Sequence, residues 1–122
     1  MCRILIAEDE ARLAAFVDKG LRKHGFGTAI AEDGEQALQM AASGEFTLLL
    51  LDLGLPLKDG WTVLQELRSR GKALIIIIVT ALNGDNRNAA LQYGANDFLS
   101  KPFRFNDLLE LVRSHLEQSN QT

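Results

Sequence analysis

The sequence predicts an α/β protein: an open, doubly wound parallel sheet of five strands with five helices. Three observations carry that expectation. Short apolar runs alternate with helical patterns along the chain, as βα units do. The runs at 48–51 and 75–79 are apolar without interruption, which is how strands buried on both faces read. Gly25, Gly44, Gly71 and Gly94 each stand where a helical pattern gives out, as a left-handed C-terminal residue would.

The elements follow in order. The first strand is expected at 3–7. Leu13, Phe16, Val17 and Leu21 then repeat at the spacing of one buried helix face. Gly20 lies inside that helix and costs about 1 kcal/mol relative to Ala. The second strand is expected at 27–31, followed by a short helical stripe of Ala37, Leu38 and Ala41. The third strand is expected at 47–51, set off by Gly44 before it and by Gly54 and Pro56 after it. Pro56 and the Asp59–Gly60 pair read as turn chemistry and a helix start. Trp61 opens the third helix, whose stripe is Val63, Leu64 and Leu67. The fourth strand is expected at 74–79. The fourth helix, at 85–93, is the weakest, with only Ala90 and Leu91 clearly apolar. The last strand is expected at 97–100. Phe105, Leu108, Leu109, Val112 and Leu116 mark the final helix. Residues 1–118 are expected to form one domain, and 119–122 a polar tail or the start of a linker.

Composition narrows the function. The chain has 122 residues, a net charge of −3 and 47% hydrophobic residues, enough for one domain with its own core. It carries no basic footprint, so direct nucleic-acid binding by this segment is not expected. Cys2 is the only cysteine, which excludes an internal disulfide and suits a reducing cytoplasm. The apolar stretch at 73–79 is far shorter than the ~20 residues that span a bilayer. Glu8, Asp9 and Glu10 interrupt any signal-peptide pattern at once. A soluble cytoplasmic domain without membrane contact is the expectation.

In a doubly wound sheet, ligands bind beyond the carboxyl ends of the strands. Glu8 and Asp9 follow the first strand, Asp52 the third, Thr80 the fourth and Lys101–Pro102 the fifth. Adjacent parallel strands lie about 4.8 Å apart, so these groups can meet. Three carboxylates repel one another at that range. A hard cation relieves the repulsion, and Mg²⁺ needs only one or two carboxylates, with phosphate oxygens or water completing its shell. With a phosphoryl donor present, Lys101 neutralises phosphoryl oxygens and Thr80 donates a hydrogen bond. A carboxylate free of the metal attacks phosphorus, giving an aspartyl phosphate.

The stretches ILIAEDE at 4–10, LDLGLPLKDG at 51–60, VTA at 79–81 and GANDFLSKPF at 94–103 together resemble the receiver domain of two-component response regulators. Four such stretches in the right order over the whole chain are very specific. The resemblance implies the flavodoxin-like receiver fold with strand order 2-1-3-4-5. It implies Asp52 as phosphoacceptor and Glu8 and Asp9 as the acidic pair, Asp9 being the direct Mg²⁺ ligand. Asp52 and the backbone carbonyl of Gly54 would complete the protein ligands. Thr80 and Lys101 would read the phosphoryl group, small Ala81 would leave it room, and Phe98 would be the switch aromatic. The Lys101–Pro102 bond is commonly cis in receivers. The partner implied is a sensor histidine kinase or a phosphotransfer protein. A homodimer through the fourth helix, fifth strand and fifth helix is the further expectation, along with transcriptional control through an effector domain.

Departures from the family pattern carry their own expectations. Glu8 stands where many receivers have Asp and keeps the charge. Gly54 and Leu82 cannot hold an attacking water, so self-dephosphorylation is expected to be slow, on the scale of hours. Arg87 and Asp107 keep one pair of the family's dimer pattern. Asp97 faces Leu111 where an arginine is usual, and Asn96 replaces another usual acid. His24 and His115 have no carboxylate or metal-ligand partners at suitable spacing and read as surface or boundary residues.

Three other functions compete with this reading. An aspartate-nucleophile phosphatase needs a second Asp two residues after the first, where this chain has Gly54. A flavodoxin-like electron carrier needs a hydroxyl- and glycine-rich phosphate cradle where Glu8, Asp9 and Glu10 stand. The set Asp9, Asp52, Thr80 and Lys101 argues against a binding module that is never phosphorylated, an alternative that stays open at the level of sequence.

Overall fold

The computed structural model describes residues 3–81 and 85–119. Cys2, Leu82 and residues 120–122 lie outside them. The elements run β1 (Arg3–Ala7), α1 (Ala11–Lys23), β2 (Gly27–Ala31), α2 (Gly34–Ala42), β3 (Leu48–Leu51), α3 (Gly60–Ser69), β4 (Ile75–Thr80), α4 (Asp85–Gln92), β5 (Asp97–Ser100) and α5 (Phe105–Ser119). Every strand pair is parallel, and the sheet order is β2-β1-β3-β4-β5. Fold class and strand order are those expected.

Strict alternation along the strands splits the core into two layers. Leu5, Leu49, Leu51, Ile76 and Ile78 face the side of the sheet covered by α2, α3 and Ala90 of α4. Ile4, Ile6, Leu48, Leu50 and Ile77 face α1 and α5. The central strands are therefore buried on both faces, which is why their sequences are continuously apolar. Asp33 caps α2 by accepting from the Gln36 N–H at 2.8 Å. Asp59 caps α3 through the Thr62 N–H at 2.9 Å. Gly25, Gly44, Gly71 and Gly94 all have positive φ, as their positions at helix ends require.

Several boundaries differ from the sequence reading. β3 begins at Leu48, although the Thr47 N–H still donates to Arg3 O at 2.9 Å. β4 is shifted by one residue and takes in Thr80, because Thr80 pairs with Ser100 of β5. α4 ends at Gln92, one residue earlier than expected, and α5 continues through Ser119. Phe16 is half exposed rather than part of the buried α1 face. Its ring meets Phe105 edge-on, with centroids 5.9 Å apart. The Phe105 ring occupies the space a Cβ at Gly20 would need, 2.4 Å from its nearest ring carbon. That close approach of α5 to α1 explains a glycine in mid-helix.

Candidate functional site

The site is assembled by backbone bonds that carry the sheet one residue beyond its strands. The Glu8 N–H donates to Ala31 O at 3.0 Å, and the Asp52 N–H to Ala7 O at 3.1 Å. The Lys101 N–H donates to Thr80 O at 2.8 Å, and the Lys101–Pro102 peptide that follows is cis. These bonds bring residues from four strands to one edge of the sheet.

There the side chains converge as the sequence suggested. One oxygen each of Glu8, Asp9 and Asp52 lies within 4.8 Å of the others. Lys101 Nζ sits 2.6 Å from Glu8 Oε1 and 3.2 Å from Asp52 Oδ2. The Thr80 hydroxyl donates to Asp52 Oδ1 at 3.0 Å, and the Gly54 N–H donates to the same oxygen at 3.1 Å. Glu8, Asp52 and Thr80 are buried, whereas Asp9 is exposed at the mouth. Lys101 also lines an open pocket of about 390 Å³ with Glu10, Leu13, Ala81, Pro102 and Phe103. Ala81 is exposed there and presents only a methyl group.

The charges do not balance. Three carboxylates face one ammonium. Burial pushes the Glu8 carboxyl above its usual range, and the Asp52 charge adds to the rise. The hydrogen bonds from Lys101 and the Glu10 N–H oppose the rise without cancelling it. Burial alone would lower the Lys101 ammonium. Its bond to Glu8 and the Asp52 charge outweigh that and hold it above the ordinary lysine value. The site is net negative and has room for more positive charge.

The donor set fits a hard divalent cation of the Mg²⁺ kind: all oxygens, net negative and open to solvent at Asp9. Glu8 Oε1 accepts from Lys101, and its Oε2 accepts from the Glu10 N–H at 3.0 Å. Asp52 is as fully engaged, through Thr80 and Gly54 on Oδ1 and Lys101 on Oδ2. Asp9 is the carboxylate that stands open to solvent.

Phe98 lies on β5 beside Ile78 of β4, on the face that carries Thr80 two residues further along. It is buried in the α2–α3 layer of the core. Thr80 reaches Asp52 with its hydroxyl, and Phe98 is buried.

Sequence reasoning missed a second polar cluster. His115 Nε2 lies 2.9 Å from Asp97 Oδ2, a carboxylate partner that its sequence spacing did not show. The pair joins β5 to α5 across 18 residues, and no local spacing signals it. Arg87 of α4 approaches the other Asp97 oxygen at 3.7 Å and donates to Phe98 O at 3.2 Å. Leu111, where an arginine was expected to meet Asp97, packs against the α1–α5 layer of the core. Asn96 accepts from the Ile76 N–H and from Arg68, so it is an internal brace. His24 is exposed, stacked on Phe105 and 3.2 Å from Arg113. Trp61 is partly buried and meets Tyr93 edge-on at 5.9 Å.

Comparison with known proteins agrees with this geometry. Residues 4–113 match the family model described as the response regulator receiver domain. The transcriptional regulatory protein CusR of Escherichia coli K12 is 38% identical over 117 residues, covering 95% of this chain and 52% of CusR. The probable transcriptional regulatory protein SilR of Salmonella typhimurium is 38% identical over 119 residues, covering 97% of this chain and 52% of SilR. The chain thus spans about half the length of these relatives. Among solved structures, the Francisella response regulator 1452 receiver domain matches with a TM-score of 0.94 at 27% identity. That match covers 98% of this chain and all of the other. The response regulator TrrA of Thermotoga maritima, solved with Mg²⁺ and BeF, matches with a TM-score of 0.84 at 32% identity. It covers 93% of this chain and 98% of TrrA.

Proposed function

Because the chain belongs to the response regulator receiver domain family, we propose that it is a phosphorylation-controlled switch whose phosphoacceptor is Asp52. The observation that carries this reading is the convergence of Thr80 and Lys101 on the two oxygens of one buried carboxylate. A structural aspartate needs neither a hydroxyl nor an ammonium so placed. Phosphoryl transfer needs both.

The donor is the phosphohistidine of a sensor kinase or phosphotransfer protein, or a small acyl phosphate. An Asp52 oxygen forms the new O–P bond as the donor's N–P or O–P bond breaks, and the leaving group keeps the electron pair. Lys101 and Thr80 meet the phosphoryl oxygens as charge spreads over them. Asp9, Asp52 and the Gly54 carbonyl, with Glu8 behind them, would hold a Mg²⁺ ion, which would supply positive charge to those oxygens. Thr80 and Phe98 form the switch: the phosphoryl group holds Thr80 inward, and buried Phe98 keeps the space beside it closed. The readout is the face formed by α4, β5 and α5, through which a second copy docks. An effector segment of the kind CusR and SilR have room for would pass the signal to transcription. The domain acts in the cytoplasm, binds no nucleic acid or membrane itself, and catalyses only its own phosphorylation and slow dephosphorylation. No described helix is long and apolar enough to cross a membrane.

The test is intact mass after incubation with acetyl phosphate, with and without Mg²⁺. Wild type is expected to gain the mass of one phosphoryl group only with Mg²⁺, and Asp52→Asn to gain none. A gain that persists in Asp52→Asn would overturn the assignment.

A further inference from the structure

The loop between β3 and α3 is held more tightly than turn chemistry requires. Gly60 at its far end donates to Leu53 O at 2.9 Å, and a Cβ there would lie 2.3 Å from the Asp52 carbonyl oxygen. On the opposite side, Gly34 opens α2 and donates its N–H to Pro56 O at 3.1 Å. A Cβ on Gly34 would fall 1.6 Å from the Lys58 carbonyl oxygen, an overlap with backbone that no rotamer change relieves. Lys58 is tied in turn to Glu66 of α3 at 2.9 Å. Its N–H also bonds back to Pro56 O at 2.7 Å.

Between these ties sits Leu57. It has φ +67, the only positive φ on a non-glycine among the described residues, and it is 77% exposed. A leucine gains nothing from that conformation. Neither does it gain from burial, because it has almost none. Its conformation is imposed by the ties on either side: the chain closes a three-residue turn at Leu57 because Pro56 and Lys58 are pinned against α2. The other end of the loop is the Gly54 N–H on Asp52 Oδ1. Buried Leu55 is the one residue between Gly54 and Pro56.

We propose that the first turn of α2 is a fixed stop for the β3–α3 loop, and that Gly34 is a positioning residue that sets where Gly54 meets the Asp52 carboxylate. Helix preference alone argues for Ala at position 34, since Ala outranks Gly inside helices. The close backbone approach is what demands glycine. The consequence for phosphoryl transfer rests on the function proposed above; the placement of Gly54 does not.

The test compares Gly34→Ala with Gly20→Ala, which also puts a Cβ into occupied space, 2.4 Å from a Phe105 ring carbon, but on α1 and away from the loop. The ¹⁵N amide resonance of Gly54 is expected to move in Gly34→Ala and to stay in Gly20→Ala. Misplacing a reacting group by an ångström can cost about a hundredfold. The rate of phosphorylation by acetyl phosphate with Mg²⁺ is therefore expected to fall about tenfold or more in Gly34→Ala and less than about twofold in Gly20→Ala. Should Gly34→Ala not fold, Gly34→Ala/Leu57→Gly supplies an apex that tolerates the displaced loop. It is expected to regain stability and remain slow. A Gly54 resonance that does not move in whichever of these variants folds overturns the proposal. So does a double variant whose rate recovers along with its stability. If wild type takes no phosphoryl group while the resonance still moves, the stop stands and the phosphoacceptor reading fails.

Discussion

Lys101 Nζ stands 2.6 Å from Glu8 Oε1, with both side chains largely buried. The ammonium also reaches Asp52 at 3.2 Å, so one cation serves two carboxylates from different strands. Removing one partner of a buried pair costs more than the pair contributes, because the other charge stays behind. Lys101→Met is expected to destabilise the metal-free domain by about 2–3 kcal/mol. Glu8→Gln in the same chain should return much of that loss. Urea unfolding in EDTA gives the double-mutant cycle, and strictly additive single effects would contradict this coupling.

Asp9 should show the opposite sign. It is exposed and shares close quarters with Glu8 and Asp52. Asp9→Asn removes like-charge repulsion and is expected to leave metal-free stability unchanged or raise it by about 0.5 kcal/mol. The same change should weaken Mg²⁺ binding at least tenfold. Trp61 fluorescence, read during a Mg²⁺ titration, reports that midpoint. A destabilised variant with wild-type Mg²⁺ affinity would mean that Asp9 is structural.

Arg68 is a brace that the sequence does not advertise. Its Nε donates to Gly94 O, its Nη1 to Lys72 O and Leu74 O, and its Nη2 to Asn96 Oδ1, each at 2.8 Å. The guanidinium thus ties α3 to the entries of β4 and β5. A lysine presents a point charge where the site needs a planar fork. Arg68→Lys is expected to cost about 2 kcal/mol, nearly as much as Arg68→Ala. Thermal unfolding checks it; a lysine variant as stable as wild type would show that charge alone suffices.

If Asp52 is the phosphoacceptor as proposed, the lifetime of its phosphoryl group is expected to follow from what lies beside it. Gly54 offers its N–H to the carboxylate and has no side chain to hold a water. A Cβ there would make only an ordinary contact, 3.9 Å from Asp52 Oδ1, so space does not exclude a larger residue. The phosphorylated domain should therefore keep its group for hours in Mg²⁺ buffer, and Gly54→Asn should shorten that time severalfold. Loss of the added mass, followed over time after the donor is removed, measures both. A wild-type lifetime of seconds would remove Gly54 from the explanation.

Most of the site was legible because its residues follow strands directly. Strand order alone brings Glu8, Asp9, Asp52, Thr80 and Lys101 to one edge, whatever the helices do. The pairing of His115 with Asp97 was not legible. Which turn of α5 faces β5 depends on how α5 packs over the sheet, and no spacing within α5 contains that information. Phe16 failed for a related reason. Its spacing marks the buried face of α1, but in the fold it is half exposed and its ring meets Phe105 edge-on.

Chain-local chemistry was enough for the element order, the glycine stops of four helices and the residues at the strand tips. Those follow from period, caps and connectivity, which are properties of neighbours in sequence. Packing decided the rest. Only three-dimensional contact makes Gly34 a stop against Lys58, forces Leu57 to a positive φ, and gives Lys101 to Glu8 and Asp52 at once. Each is a distance between groups far apart along the chain, set by how helices seat on a twisted sheet.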